Sequence, residues 1–285
     1  MKGATRDTAG VELQYNPRAT VKNFQEYFDR AEARSREALA TLDGYLDVPY
    51  GPHDAQKMDI FRARGESKAV LMFIHGGYWR AFDKRFYNFL APAFTKAGVA
   101  FANINYGLCP TVTIEEIVRQ VLQAGAWLYR NASNFGGNPR TLYVAGHSAG
   151  GHLTAMMLAA IWPAYAPDLP AKVFQGGLSI SGVHDLRPLA GAAFLKPQVN
   201  FDLAVARRCS PALMPPATDA KLWTCVGGAE PQAFQDQNAS IAKAWKRVFA
   251  GDIKMPGENH FSLIEKLADP ASTLFAGALK MMGTA

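Results

Sequence analysis

The chain has 285 residues, 49% of them hydrophobic and 19% charged, which is enough apolar material for a substantial core and excludes a disordered or fibrous protein. Its formal charge of +6 is spread over 30 scattered Lys and Arg, so no run of residues makes a nucleic-acid or membrane patch. Neither a signal-peptide apolar stretch at the start nor the roughly 20 consecutive apolar residues of a membrane span is present, so the expected location is cytoplasmic.

Residues 1–43 precede the first strand pattern and contain a helical pattern near 21–41. "YLDVPYG" and "QKMDIFRA" then read as two strands around the turn residues Gly51, Pro52 and His53, so the sheet is expected to open antiparallel. "KAVLMFIHGG" and "GVAFANINY" are short continuous apolar runs, the pattern of strands buried on both faces. From Thr113 to Arg130 the apolar residues Ile114, Ile117, Val118, Val121, Leu122 and Leu128 fall on one helical face, and Thr113 with Glu116 forms a capping box. Further strands are expected at "TLYVAG", "FQGGLSIS", "KLWTCVGG" and "FAGDIKM", with helices at 149–162, 236–249 and 261–281. The alternation predicts a single α/β domain over 1–285, a mostly parallel sheet with helices on both faces. Two segments interrupt it, the 1–43 extension and a Pro-, Ala- and Leu-rich insertion at 183–220. Both are expected as a small cap over the carboxyl edge of the sheet, where α/β proteins bind ligands.

Chemistry concentrates at "TLYVAGHSAGGHL". Gly146-His147-Ser148-Ala149-Gly150 is a GxSxG placed where a buried strand turns sharply into a helix, the setting of a nucleophile elbow. Such a turn tolerates only glycine two residues either side of the serine, and the following helix N-terminus favours negative charge. A serine hydroxyl is a poor nucleophile unaided, so a base, an orienting acid and oxyanion donors are required. "HGGYW" ends the first buried strand and offers the amides of Gly77 and Tyr78, beside that of Ala149, as an oxyanion hole. His75 in that motif is expected to fix the loop rather than to act as base.

The base is expected late in the chain, where "MPGENHFSLIEKL" presents His260 in a Pro/Gly-marked loop before a helix. For the acid, "KLWTCVGGAEPQAFQDQ" places Glu230 at a strand end, with Asp236, Asp252 and Glu258 as alternatives. Glu230 is favoured because a strand-end carboxylate can reach across the sheet edge, whereas a helical one more often faces solvent. Trp79, Tyr78, His147, Phe194 and Phe201 are candidates to line a substrate pocket. A metal-dependent amidase using His147 and His152 is disfavoured, because the two flank a sharp turn without a further ligand at suitable spacing. Cys109, Cys209 and Cys225 are odd in number, widely spaced and without a CxxC, so buried thiols are expected rather than disulfides or zinc ligands.

Taken together, "QYNPRA", "HGGYW", "GHSAGGHL", "SGVHDLRPL", "VGGAEPQAF" and "ENHFSLIEKL" resemble the arylformamidase (kynurenine formamidase) branch of the α/β-hydrolases, related to the hormone-sensitive lipase-like esterases. The resemblance spans roughly residues 12–270. It implies an α/β-hydrolase fold and a cofactor-free serine hydrolase of aryl formamides or short-acyl aryl amides and esters, with Ser148, His260 and Glu230 as triad. That branch commonly carries aspartate where this chain has Glu230. The expected partner is a small-molecule aryl amide or ester, and a homodimer is the one assembly left open. A broad short-chain carboxylesterase is the alternative activity, and an inactive binding protein on the same fold the alternative of another class.

Overall fold

The computed structural model describes residues 8–285; the first seven residues of the expected N-terminal extension lie outside the described residues. Three helices come first: α1 (Thr8–Tyr15), α2 (Pro17–Thr20) and α3 (Phe24–Thr41). Asn16 caps α2 by accepting from the Arg18 amide, and Pro17 occupies the first helical position, where its missing N–H is no loss.

Strands β1 (Gly44–Pro49) and β2 (Lys57–Phe61) form the antiparallel opening; β3 (Ala69–Ile74) and β4 (Val99–Ile104) follow, separated by α4 (Ala91–Lys96). Every residue of β3 and β4 is buried, the consequence of helices on both faces. Helix α5 (Ile114–Asn131) is capped by Thr113, whose side chain accepts from the Glu116 amide. Then come β5 (Leu142–His147), α6 (Ala149–Ala159), α7 (Trp162–Tyr165) and β6 (Gly176–Ile180). After the 183–220 insertion, which holds α8 (Leu203–Arg208) among short 3-10 turns, the chain forms β7 (Lys221–Gly227), α9 (Gln232–Ala244), β8 (Phe249–Met255), α10 (Ser262–Leu267) and α11 (Thr273–Met282).

The eight strands make one sheet in the order β1-β2-β4-β3-β5-β6-β7-β8, antiparallel at β1-β2 and β2-β4 and parallel from β4 onward. Two apolar layers sandwich it, one under α5, α6 and α9, the other under α4, α10 and α11. Each fully buried Leu, Ile or Phe of these layers contributes on the order of 1.5–3 kcal/mol.

Three helices differ from the sequence expectation, the first being that expected at 149–162, which ends at Ala159 with α7 starting separately at Trp162. The helix expected at 236–249 begins at Gln232 and ends at Ala244, because Trp245 turns inward and donates its indole N–H to the carbonyls of Pro211 and Met214. The helix expected at 261–281 is two helices: Asp269 and Pro270 interrupt it, and Ser272 caps the second by accepting from the Phe275 amide.

Candidate active site

Ser148 stands between β5 and α6 with φ 58° and ψ −116°, a conformation that an L-residue rarely holds. Its amide donates to the Ile180 carbonyl at 2.8 Å, which fixes the turn against β6. The flanking glycines are there for space. A Cβ at Gly146 would lie 2.2 Å from the Gly150 carbonyl oxygen, and one at Gly150 would lie 1.9 Å from that of Ile74. The elbow is therefore closed from both sides by backbone that cannot move aside.

His260 lies on the loop between β8 and α10. The side chain of Asn259 shapes that loop by accepting from the amides of Phe261 and Ser262, both at 2.9 Å. The His260 ring packs between His147, Phe234 and Phe261, with centroids 4.6, 4.8 and 5.6 Å away. Its Nδ1 lies 2.6 Å from Glu230 Oε2. The other oxygen of Glu230 accepts from Ser181 Oγ at 2.5 Å and from the Gly227 amide at 2.8 Å. Ser181, just past the end of β6 and also at positive φ, thus holds the carboxylate from one side while β7 holds it from the other. The alternative acids are engaged elsewhere. Asp236 is exposed on α9 and accepts from Gln232, Asp252 accepts from Thr224, Asn238 and Lys254, and Glu258 faces Lys266.

His147 Nε2 donates to the carbonyl oxygen of His260 at 2.9 Å, tying the elbow to the late loop. Burial, with the neighbouring His260, pushes the His147 pKa well below the ordinary imidazole value, so this ring stays neutral. Its Nδ1 is buried without a hydrogen-bond partner among the described residues.

The Gly77–Trp79 loop is strongly twisted: Gly77, Tyr78 and Trp79 all have positive φ. His75 anchors it, with Nδ1 2.8 Å from the Gly76 carbonyl, Nε2 3.1 Å from Asn105 Oδ1, and its ring stacked on Tyr106 at 4.2 Å. Beneath, Lys84 is buried between Asp59 at 2.6 Å and Asp47 at 2.9 Å, and Asn88 donates to the second oxygen of Asp59. A buried lysine needs such pairing to keep its charge, and here the pairing pins the 83–90 segment to the sheet. Among the described residues, no acceptor takes the amide hydrogens of Gly77, Tyr78 or Ala149.

A cavity of about 110 Å³ reaches Ser148, His147 and His260, with Gly77 and Tyr78 on one wall. The rest of its wall is aromatic, chiefly Phe28, Phe82, Phe86, Tyr87 and Phe261, and α2 and α3 roof it through Pro17, Arg18 and Tyr27. Of the sequence-based pocket candidates, Tyr78 and His147 line this cavity, while Trp79, Phe194 and Phe201 do not. The twist at Trp79 turns its indole away and fully buries it, where Nε1 donates to His152 Nδ1 at 3.3 Å. Phe194 packs edge-on against Tyr78, and Phe201 is buried in the apolar core. The insertion braces the loop from behind, through the Phe194 and Leu195 carbonyls that accept from Arg80, and contributes none of the lining residues. The aromatic lining has a sequence signal, the density of "FDKRFYNF" two residues after "HGGYW".

His147 and His152 share no site: His152 Nε2 pairs with the Cys209 carbonyl at 2.7 Å, away from the His147 partner. Among the described residues no three His, Cys, Asp or Glu side chains converge as metal ligands, and all three cysteines are free and buried. No helix of the described residues is long and apolar enough to cross a membrane.

A mostly parallel eight-stranded sheet, with a serine at a strained strand-to-helix turn and a late histidine beside a strand-end carboxylate, defines a hydrolase of the α/β-hydrolase class. The model of the Carboxylesterase family matches residues 119–266, just over half of the chain, and the chain belongs to that family. The BD-FAE model matches residues 58–161. Among curated proteins, the kynurenine formamidase of Danio rerio is 28% identical over 96% of this chain and 96% of its own. That of Salmo salar is 29% identical over 88% of this chain and 85% of its own. Among solved structures, a candidate thioesterase from Silicibacter sp. TM1040 superposes with a TM-score of 0.82 at 35% identity, covering 92% of this chain and 96% of that one.

Proposed function

We propose that the protein hydrolyses aryl formamides or short-acyl aryl amides and esters through a Ser148-His260-Glu230 triad and an acyl-enzyme. The observation that carries this reading is the doubly held Glu230 carboxylate on His260 Nδ1, with His260 and Ser148 opening into one narrow aromatic cavity. Glu230 keeps the proton on Nδ1, so Nε2 is the base that takes the Ser148 proton as Oγ attacks the acyl carbon. The amides of Gly77, Tyr78 and Ala149 receive the developing oxyanion, with the N-terminus of α6 adding its dipole. Nε2 then protonates the departing arylamine or phenol, and a water deprotonated by His260 releases the acid. An aryl formamide suits a triad without further assistance, because the ring draws on the nitrogen lone pair and the formyl carbon carries only hydrogen. The cavity supports a short acyl group and a flat leaving group over a lipid chain. The full-length likeness to kynurenine formamidases agrees with this class of substrate.

The family match over residues 119–266 favours a second reading, a short-chain carboxylesterase of broad range. One series separates the two: kcat/KM with acyl length rising from formyl to decanoyl on one arylamine and on one phenol. The expected result is activity on both formyl compounds and a fall with chain length. Ester cleavage without formamide cleavage selects the esterase reading. Activity that survives Ser148→Ala, or organophosphate treatment of the wild type, refutes the serine mechanism.

A further inference from the structure

Beneath the oxyanion loop, the hydrogen bonds leave His75 one proton richer than a neutral imidazole. Asp83 Oδ1 accepts from the Arg85 amide and guanidinium, at 2.9 and 3.0 Å, and Oδ2 accepts from Asn105 Nδ2 at 2.9 Å. Burial raises the Asp83 pKa, but the bonds from Arg85 outweigh it and hold the pKa below the ordinary carboxylate value, so both oxygens can only accept. This orients the Asn105 amide: its NH2 faces Asp83, and its Oδ1, an acceptor, faces His75 Nε2 at 3.1 Å. On the other side of the ring, Nδ1 lies 2.8 Å from the Gly76 carbonyl oxygen, also an acceptor. A neutral ring has one N–H and sets a lone pair against an oxygen at one of these contacts. An imidazolium donates at both.

The surroundings suit a cation. The buried ring lies flat against Tyr106, with centroids 4.2 Å apart and planes 6° apart, and stacks more loosely on Tyr87 at 6.1 Å. Burial raises the pKa values of Tyr87 and Tyr106, so both hydroxyls keep their protons, and the Tyr50 hydroxyl donates to the Asn105 carbonyl. Among the described residues, Asp83 is the charge that acts on the ring. Burial lowers the His75 pKa, and the Gly76 carbonyl, Asp83 and Asn105 oppose that fall. The place of the extra proton gives it a role. The Gly76 carbonyl and the Gly77 N–H belong to one peptide unit, and a donor on the carbonyl polarises the N–H at its other end. That N–H is one of the three amides assigned to the oxyanion.

We propose that His75 is an imidazolium ion that strengthens the Gly77 amide as an oxyanion donor through the Gly76-Gly77 peptide, with Asp83 as its counter-ion across the Asn105 bridge. His75 is then a positioning residue and not a catalytic one. The use made of its charge rests on the serine mechanism proposed above, whereas the charge itself does not.

The test reads the ring directly by nitrogen NMR, with the His75 signals identified as those that His75→Gln removes. Both ring nitrogens are expected to carry protons at about pH 6. A single proton there overturns the proposal. Phenylboronic acid, whose tetrahedral adduct on Ser148 sets a negative charge in the oxyanion hole, is expected by linkage to raise the proton affinity of His75 about tenfold. An unchanged proton affinity in the adduct overturns the proposal, because a ring that only braces the loop does not sense the oxyanion. Asp83→Asn gives a second reading without altering the loop. Its amide can donate to Asn105 Oδ1, so the Asn105 amide turns over, donates to His75 Nε2 and leaves the ring neutral. With phenyl acetate, kcat is expected to fall about tenfold with KM little changed, and boronate affinity to fall in parallel. Wild-type kcat in a folded Asp83→Asn with a neutral His75 overturns the proposal. Failure of the boronate to add at Ser148 counts against the serine mechanism, and the titration of the free enzyme still decides the charge of His75.

Discussion

Replacing Glu230 by Asp tests whether the carboxylate acts through its position or merely through its charge. The wild-type group makes three contacts at once, at 2.6 Å to His260 Nδ1, 2.5 Å to Ser181 Oγ and 2.8 Å to the Gly227 amide. Removing one methylene draws the carboxylate back by about 1.5 Å along its stem. The Gly227 amide belongs to β7 and cannot follow, and Ser181 is fixed by its amide bond to the Cys225 carbonyl at 2.7 Å. The shortened side chain must therefore abandon His260 or its two anchors. Loss of one charge-assisted hydrogen bond costs about 1.5–3 kcal/mol, which is about a 10- to 150-fold fall in kcat with KM little changed. Glu230→Gln, which also removes the charge and favours the wrong tautomer of His260, is expected to lose more than about 100-fold. Steady-state kinetics on an aryl acetate, with organophosphate titration to count competent sites, measures both. Wild-type turnover in Glu230→Asp refutes the positional argument. A larger loss in Asp236→Asn than in Glu230→Gln moves the acid to Asp236.

The strain at Ser148 predicts that Ser148→Gly abolishes hydrolysis yet stabilises the fold by about 1–2 kcal/mol, relief of the backbone cost less the extra entropy of an unfolded glycine. A thermal midpoint equal to or below wild type contradicts this. A second prediction concerns acid. Burial lowers the pKa of His152 to about 4, and burial with the nearby His152 lowers that of His184 to about 3, so the native state refuses protons that the unfolded chain accepts below its ordinary value of 6.5. Their stabilising contribution is complete above pH 6.5 and is lost as pH falls toward 4, each group costing about 1.4 kcal/mol per pH unit. Thermal midpoints measured from pH 7.5 to 5.0 should decline, and a flat profile rejects the buried neutral pair.

The sheet was legible because its strands are local signals: β3 and β4 are runs of six buried residues, and no other element accommodates them. The elbow was legible because its constraint is also local, a Cβ collision that only glycine avoids. Sequence order reduced the candidate acids to four carboxylates, but what sets Glu230 apart from Asp252 or Glu258, its contact with His260 Nδ1, comes from the turn after β7, whose tertiary contacts no spacing encodes. Part of the cavity lining was illegible for a similar reason. Trp79 reads as an aromatic beside an oxyanion loop, and only the positive φ of Tyr78 and Trp79 reveals that the indole faces His152. The break at Asp269-Pro270 carries a local signal, a proline inside an otherwise continuous apolar periodicity.

Because the roof over Ser148 comes from the opposite end of the chain to His260, one part of the cavity wall is encoded far from the chemistry. Asn259 bonds to Tyr27 and Arg30 to Glu265 across 232 and 235 residues of sequence. During synthesis the first helices are made long before the late residues they bond to, so these two contacts form only once nearly the whole chain exists. The same separation makes residues 8–42 exchangeable in principle. A transplanted roof from a relative alters the α2–α3 part of the cavity wall while the elbow, the late loop and the buried carboxylate stay untouched.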